Sequence, residues 1–187
     1  MKRHILLLAS ILLLSACQSI QIDRDYDPNR DFASYQSWSW QSPALTYSPD
    51  DPRLKSDLTE QRIRDAVKDQ FEQRGLREAP ANTKADLSVQ VALIVDDRQN
   101  LYTTNYGGGW NNAWGGGYWG GPIYTETQTV DYKVGTLQVD LYDGKDKKLV
   151  WRGSAQQVMP RNALSPTERE AAIRETVTKV LSQYPPH

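Results

Sequence analysis

Histidine and cysteine, the side chains that most often carry nucleophilic catalysis and bind zinc, are scarce in this chain. Its two histidines, His4 and His187, stand near the two ends, and Cys17 is its single cysteine. Catalytic Ser-His-Asp and Cys-His systems need an internal histidine, and the common zinc sites need several histidine or cysteine ligands. The sequence therefore predicts a protein that is not an enzyme and that binds neither a metal nor a cofactor.

Paired carboxylates are the one catalytic arrangement left, because a glycosidase needs only two acids at a controlled separation. Asp96 and Asp97 are adjacent in a strand pattern, so their side chains should point to opposite faces. Asp140, Asp143 and Asp146 could offer oxygens to a cation, but their spacing departs from a calcium loop and lysines surround them. A carboxylate-based glycan hydrolase is kept as the alternative function.

The first residues have the pattern of a bacterial export signal. A basic start is followed by an apolar run over residues 5–14, which is shorter than the roughly 20 apolar residues that span a bilayer. The run leads into the sequence LSAC, which ends at Cys17 and resembles the lipobox whose cysteine is acylated after cleavage. We therefore predict that residues 1–16 are a lipoprotein signal peptide, that Cys17 carries the lipid, and that residues 17–19 are the anchor and a short linker.

The predicted anchor also predicts a location. Two or more acyl chains hold a protein on a membrane stably, whereas one chain gives only marginal binding. Gln18 follows the cysteine in place of the aspartate that resembles an inner-membrane retention signal in enteric bacteria. We expect the protein to be held by its lipid at the periplasmic face of an outer membrane, with a single domain over residues 20–187.

The charge of the mature chain limits its partners. Removal of Lys2 and Arg3 with the signal leaves 20 basic and 23 acidic side chains, a net charge of −3. This balance lacks the basic footprint of nucleic-acid binding, so we expect no nucleic-acid partner. With Cys17 acylated no disulfide can form, and the fold must depend on packing alone.

A segment of unusual composition lies in the middle of the chain. Eight of the twelve glycines fall between Gly107 and Gly121, together with several large aromatic side chains. Glycine loses more backbone entropy on ordering than any other residue, so residues 101–121 are predicted to be a mobile insertion and not a core element. Exposed tryptophan and tyrosine are typical of binding surfaces and of the membrane interface. The candidates for an interaction loop are Tyr106, Trp110, Trp114, Tyr118 and Trp119.

Four interpretations of this segment remain open. It could be a loose hairpin tip whose rings fold onto the domain, a contact for an envelope protein, a contact for lipid headgroups, or a surface that stacks on the sugars of a glycan. The sequence supplies no arranged polar partners for a glycan. We expect a non-enzymatic interaction or envelope-maintenance module, and a glycan-binding module joins the hydrolase as the alternative.

Alternating apolar residues and capping signals place strands and helices along the rest of the chain. Asp57 with Glu60, and Ser165 with Glu168, have the spacing of capping boxes at helix starts. Strands are expected over 20–26, 35–41, 86–97, 124–134, 135–141 and 148–158, with a loop over 42–53. Inward positions on these strands include Trp38, Trp40, Leu149 and Trp151.

This order of elements predicts an α+β fold. Consecutive strands are close enough to pair as antiparallel meanders. The alternating strands give the sheet an apolar face, and the two predicted helices are expected to cover it. We therefore expect a mostly antiparallel sheet with two helices packed on one face and a long Gly/Trp-rich hairpin loop.

Several short motifs resemble one family of bacterial lipoproteins. They are DYDP from residue 25, DFASY from residue 31, WSW from residue 38, GTLQVDL from residue 135 and LVWRG from residue 149. These motifs resemble the family catalogued as domain of unknown function 4136, and the resemblance covers nearly all of the mature chain. It implies an envelope lipoprotein with an α+β domain and a glycine and aromatic insertion. It implies no activity and no catalytic residues.

Overall fold

The computed structural model describes residues 20–52, 54–80, 83–106 and 124–186, which contain one six-stranded sheet and two α-helices. A single 3₁₀ turn lies at Phe32–Ser34. The elements in chain order are β1 (Gln21–Tyr26), β2 (Ser37–Ser48), α1 (Asp57–Gln73), β3 (Arg77–Glu78), β4 (Leu87–Tyr106), β5 (Tyr124–Asp143), β6 (Leu149–Val158) and α2 (Pro166–Leu181). The α+β fold predicted from the sequence is confirmed.

The strands lie in the order β1-β6-β5-β4-β2-β3. Three neighbouring pairs, β1 with β6, β6 with β5 and β5 with β4, are antiparallel. β2 is parallel to both β4 and β3. The sheet is therefore mostly antiparallel, as expected, but the expectation that consecutive strands all form meanders is wrong for β2. The reason is that α1 lies between β2 and β4 in the chain and serves as the long crossover that parallel strands need.

Two strands that the sequence pattern separated are one strand in the structure. β5 covers both 124–134 and 135–141, and its ladder to β4 continues without interruption through Val95↔Gly135. A Cβ atom at Gly135 would lie 3.3 Å from Cγ of Met159, so the methionine side chain packs where the glycine has none. Gly135 therefore makes room for a neighbour and does not end the strand.

The predicted loop over 42–53 is wrong for its first part, because β2 continues to Ser48. The register of β2 against β4 shifts between Trp40 and Leu45, and Pro43 lies inside this irregularity. A proline is tolerated at such a bulge because no ladder N–H is needed there. Leu45 beyond the bulge is buried, which explains why the chain returns to the sheet.

The two helix starts differ in their caps. Ser165 and Glu168 form the predicted capping box at the start of α2, which is confirmed. At α1 the predicted capping box is wrong, because Ser56 is the N-cap and its side chain makes no capping hydrogen bond. Glu60 instead accepts hydrogen bonds from Arg64 one turn later, at 2.9 and 2.7 Å.

Both helices pack on one face of the sheet, and aromatic side chains fill the space between the layers. Trp38, Phe71 and Trp151 are fully buried. Trp40 is half-buried, and its ring centroid lies 5.3 Å from that of Trp38. Leu149, expected to point inward, is 39% exposed, because a register shift between Leu141 and Tyr142 turns its neighbour Val150 into the protein instead.

Asp86 ties the beginnings of β2 and β4 together. Its carboxylate accepts hydrogen bonds from the backbone N–H groups of Gln36 and Ser37, at 3.1 and 2.9 Å, and from the Ser37 hydroxyl at 2.8 Å. The hydroxyl of Ser37 and then the N–H of Gln36 lower the pKa of Asp86 below its usual value. The ionised carboxylate therefore stabilises the folded state.

We expect Asp86→Asn to destabilise the protein by about 1.5–3 kcal/mol near neutral pH, the usual contribution of hydrogen bonds to a charged group. The folded-state pKa is depressed, so this stabilisation is fully present above about pH 4 and is lost as the pH falls through the folded-state pKa. Urea denaturation at about pH 7 and about pH 3 measures the effect. The control is Asp96→Asn, a change to an exposed carboxylate of β4. Equal losses for Asp86→Asn at both pH values would contradict the assignment.

Candidate functional site

The far parts of β4 and β5 form a two-stranded ribbon that extends beyond the rest of the sheet. β2 pairs with β4 only as far as Ile94, and β6 pairs with β5 only as far as Val134. Beyond these residues β4 and β5 pair with each other alone. We call residues 97–106 and 124–133 the ribbon, which contains ten register pairs. At about 3.3 Å per residue, the ribbon is about 33 Å long.

The predicted interaction loop begins at the far end of the ribbon. Residues 107–123 connect the two strands there, and the backbone of Tyr106 pairs with that of Tyr124. Of the insertion predicted over residues 101–121, residues 101–106 are the last part of β4. Four loop candidates and the predicted lipidation site lie outside the described residues, namely Trp110, Trp114, Tyr118, Trp119 and Cys17.

The ribbon itself carries exposed apolar and aromatic surface. Leu101 is 66% exposed and Tyr102 is 55% exposed. Alternation along the paired strands places Val130 and Tyr132 on the same ribbon face as Tyr102. A two-stranded hairpin alone in water is only marginally stable.

The start of β1 lies at the end of the sheet from which the ribbon extends. Gln21 pairs with Gln156, which also pairs with Thr136, three residues from the ribbon in β5. Because β1 and β6 are antiparallel, the chain enters β1 from the side of the ribbon. Four residue steps separate Cys17 from Gln21, a reach of at most about 14 Å. A lipid on Cys17 would therefore be tethered near the base of the ribbon.

A groove lies at the same end of the domain, between the sheet and the helices. The inner faces of β4, β5 and β6 form its floor, through Leu93, Leu137 and Ala155 among others. The first turns of α2, with Ala172, and the segment 159–164 that leads into this helix form one wall. The volume of the groove is about 540 Å³.

The groove residues escaped the sequence analysis. They come from β2, three further strands, both helices, the segment 159–164 and Leu54, so no short motif contains all of them. The one local signal is the pair Arg161 and Arg169, two arginines that flank the capping box of α2. The sequence alone gives this pair no functional meaning, because only the fold shows that both side chains lie on the same apolar groove.

The three carboxylates considered as cation ligands, Asp140, Asp143 and Asp146, are held by arginines. Arg30 donates hydrogen bonds to Asp27, Asp143 and Asp146, at 3.1, 3.3 and 2.6 Å. The hydrogen bonds to Asp146 and Asp27 raise the pKa of Arg30 above its usual value. This cluster joins the turn after β1 to the hairpin between β5 and β6. It is an ion-pair network that holds two parts of the fold together.

Tyr35 adds a hydrogen bond from a neutral donor to this cluster. Its hydroxyl donates to Asp143 at 2.9 Å. Burial and then that hydrogen bond raise the pKa of Tyr35 to about 12. Burial by itself would raise the pKa of Asp143, but hydrogen bonds from the Lys145 N–H and the Tyr35 hydroxyl outweigh it, and the pKa lies below its usual value. Asp143 is therefore an ionised acceptor in the folded protein.

Asp140 belongs to a different cluster. It lies on the sheet face opposite to the helices and accepts two hydrogen bonds from Arg152, each at 2.7 Å. Gln138 adds a third at 3.1 Å. Asp97, at the base of the ribbon, pairs with Lys133 at 2.6 Å, and both of these side chains are exposed.

The described residues contain neither a metal-binding cluster nor a helix that could cross a membrane. Within the described ranges, no group of three or more histidine, cysteine, aspartate or glutamate side chains is placed to hold a metal ion. No helix within those ranges is long and apolar enough to cross a membrane.

Comparisons with known proteins identify the fold and a family. The model of the family described as "Domain of unknown function (DUF4136)" matches residues 22–186. No curated protein matches the chain. A solved DUF4136 family protein from Bacteroides thetaiotaomicron is 18% identical with a TM-score of 0.52, and the match covers 89% of this chain and 96% of that one.

A second solved structure is similar over only part of its length. This PDZ domain protein from Parabacteroides distasonis is 14% identical with a TM-score of 0.54. The match covers 90% of this chain but 36% of that protein, so this chain spans about a third of its length. At such identities the two structures show a shared fold and nothing about activity.

Proposed function

This chain belongs to the DUF4136 family, whose domain has no assigned function, and from that premise we propose a lipid-anchored, non-enzymatic interaction module of the outer membrane. In this proposal Cys17 carries the lipid at the periplasmic face. The ribbon presents residues 107–123, with their tryptophans, to the surface of the membrane that holds the anchor.

The single observation that carries this proposal is that the start of β1 and the ribbon share one end of the sheet. Gln21 lies level with Thr136, close to the base of the ribbon. A lipid tethered within about 14 Å of Gln21 puts the bilayer on that side of the domain. The ribbon, about 33 Å long, is long enough to reach the headgroup zone from there. Tryptophan and tyrosine are the side chains that favour this zone.

The environment of the buried acids supports a function without catalysis. Asp140 and Asp143 are buried, and each is bound to an arginine. A glycosidase needs two acids free to act on a substrate between them, one of them able to give up a proton. Salt-bridged carboxylates that hold strands and turns together suit a structural role better.

The anchor is tested by changing the cysteine. We expect mass spectrometry of the protein purified from a bacterial host to find a chain that begins at acylated Cys17. The variant Cys17→Ala should leave the membrane fraction, because its lipid cannot be attached. Recovery of the unmodified cysteine in a membrane-free fraction would contradict the anchor.

The membrane contact is tested by tryptophan quenching. We expect brominated lipids in proteoliposomes to quench the emission of the anchored protein. The triple variant Trp110→Phe, Trp114→Phe, Trp119→Phe should lose most of that quenching. Two of the remaining tryptophans, Trp38 and Trp151, are fully buried and out of reach of lipid.

Trp40→Phe is the matched control, because it removes the half-buried tryptophan of the core and leaves the loop intact. Its quenching should stay close to that of the unchanged protein. Equal quenching of the triple variant and the unchanged protein would overturn the membrane contact. A second experiment compares the unchanged chain with a variant in which a short polar turn replaces residues 107–121. An envelope protein that co-purifies with the unchanged chain only would show that this segment binds a protein.

A further inference from the structure

The groove between the helices and the sheet has the size and the surface of a site for an apolar ligand. Its volume of about 540 Å³ lies within the roughly 300–1,000 Å³ that is usual for small-molecule sites. Leu93 and Ile173 line it and remain half-buried. At the other end of the same layer, Val177 and Leu181 of α2 are fully buried. The helices therefore cover the sheet at that end and leave apolar side chains partly uncovered at the groove.

The charges on the groove have one sign. Two guanidinium groups, those of Arg161 and Arg169, line it, and none of its described lining residues is an aspartate or glutamate. The formal net charge of the whole chain is −1, so this surface differs from the average of the protein. Arg161 has no ion pair or hydrogen bond among the described residues. Arg169 donates one long hydrogen bond of 3.5 Å to the Leu164 carbonyl.

An apolar floor beside two guanidinium groups that have no acidic partner among the described residues matches a ligand with an apolar chain and an anionic head. Guanidinium groups recognise carboxylates and phosphates through paired hydrogen bonds. An extended peptide fits less well, because the strands of the floor are already paired and offer no backbone partners to it. A small hydrophilic anion would leave the apolar floor exposed to water.

We propose that this groove binds the acyl chain of a single-chain anionic lipid, such as a long-chain fatty acid, whose carboxylate is held by Arg161 and Arg169. The chain lies on Leu93, Leu137 and Ile173, and the head lies at the mouth near the start of α2. This inference rests on the groove and its charges alone. It does not require the lipid on Cys17 or the membrane contact of the ribbon.

A photoactivatable fatty acid tests the site directly. The probe is palmitic acid with a diazirine in its chain and a terminal alkyne, irradiated with the purified full-length protein in an amphipol. Tandem mass spectrometry then locates the label. We expect labelling to concentrate on peptides that contain 159–164 and the first turns of α2. If the label is instead distributed evenly among the peptides of the protein, the proposal is overturned.

A pair of neighbouring alanines gives a matched control. Ala172 lines the groove, whereas Ala171 is exposed on the same helix and does not line it. We expect Ala172→Phe to fill the groove and reduce labelling at these peptides by roughly tenfold or more. Ala171→Phe makes the same chemical change outside the groove and should leave labelling unchanged. Equal labelling of both variants would overturn the proposal.

The charge of the head is tested by variants that leave the core intact. Arg161→Gln and Arg169→Gln should each weaken labelling by the acid by roughly tenfold, as expected when one charged hydrogen-bonding partner is lost. They should not change labelling by the corresponding fatty alcohol. The control Arg62→Gln changes a half-buried arginine of α1 that does not line the groove, and it should have no effect. If the acid and the alcohol label equally in the unchanged protein, the anionic head is wrong and the proposal fails, whether or not Ala172→Phe folds.

Discussion

Replacing Trp151 by alanine is expected to lower the free energy of unfolding by about 3–5 kcal/mol, the usual loss for a buried tryptophan. Trp151 is fully buried, and its ring centroid lies 5.6 Å from that of Tyr184 in an edge-on contact. The indole N–H has no hydrogen-bond partner among the described residues, so the ring stabilises the fold through packing. Urea denaturation followed by far-ultraviolet circular dichroism measures the loss without using tryptophan fluorescence.

Trp40→Ala is the matched control for this change. Trp40 packs at the margin of the core against Trp38, and the guanidinium of Arg64 lies 4.8 Å from its ring centroid. Because its ring is half-buried, we expect its removal to cost less than half as much. A loss as large as that for Trp151→Ala would contradict the central place of Trp151.

Replacing Gly153 by alanine is expected to lower the free energy of unfolding by about 1–3 kcal/mol, because it would overpack the same region. A Cβ atom there would overlap the six-membered ring of Trp151 and would lie 3.0 Å from a methyl carbon of Val180. Neither neighbour can move easily, since both are fully buried. Urea denaturation measures the change in the same way.

Gly135→Ala is the control for the glycine change. It is a glycine of the adjacent strand whose Cβ atom would meet the flexible side chain of Met159, which is 38% exposed and can give way. We expect a change of less than about 1 kcal/mol there.

The double variant Trp151→Leu with Gly153→Ala tests whether the two residues share space. It removes the ring that the new methyl group would overlap, so its loss of unfolding free energy should be smaller than the sum of the losses of the two single variants. Additive losses would show that the two residues do not share space.

These two residues explain one of the motifs that carry the family resemblance. In LVWRG, Trp151 and Gly153 are two residues apart on one strand and point to the same face, so the indole lies across the position where glycine has no side chain. Arg152 between them points to the other face and binds Asp140. The motif therefore encodes packing on one face of β6 and an ion pair on the other.

The DFASY motif has a similar structural role. The side chain of Asp31 accepts a hydrogen bond from the Ala33 N–H at 3.1 Å and caps the 3₁₀ turn. The Phe32 ring then makes edge-on contacts with Tyr26, Tyr35 and Tyr184, at centroid distances of 6.0, 5.9 and 5.9 Å. These residues close one end of the core. The motif therefore encodes a capped turn and aromatic packing.

Local signals determined the parts of this protein that depend on near neighbours in the chain. The capping box of α2 and the alternation of Leu87, Val89 and Val91 both depend on residues close together in the chain, so their types and spacing predicted them. The N-cap of α1 was predicted wrongly because two adjacent residues, Ser56 and Asp57, are both of types that favour this position, and Ser56 occupies it.

Only the tertiary structure decided the features that depend on distant residues. The parallel pairing of β2 with β4 needs α1 as a crossover, and the path of β2 past Pro43 depends on the burial of Leu45. The groove exists because helices and strands far apart in the chain enclose the same space, which places Arg161 and Arg169 beside apolar residues. Composition alone identified the Gly/Trp segment. The segment connects the ends of the ribbon strands, and the ribbon extends from the side of the sheet where the chain enters β1. This placement follows from the register of the strands, which depends on residues far apart in the chain and cannot be seen in a local pattern.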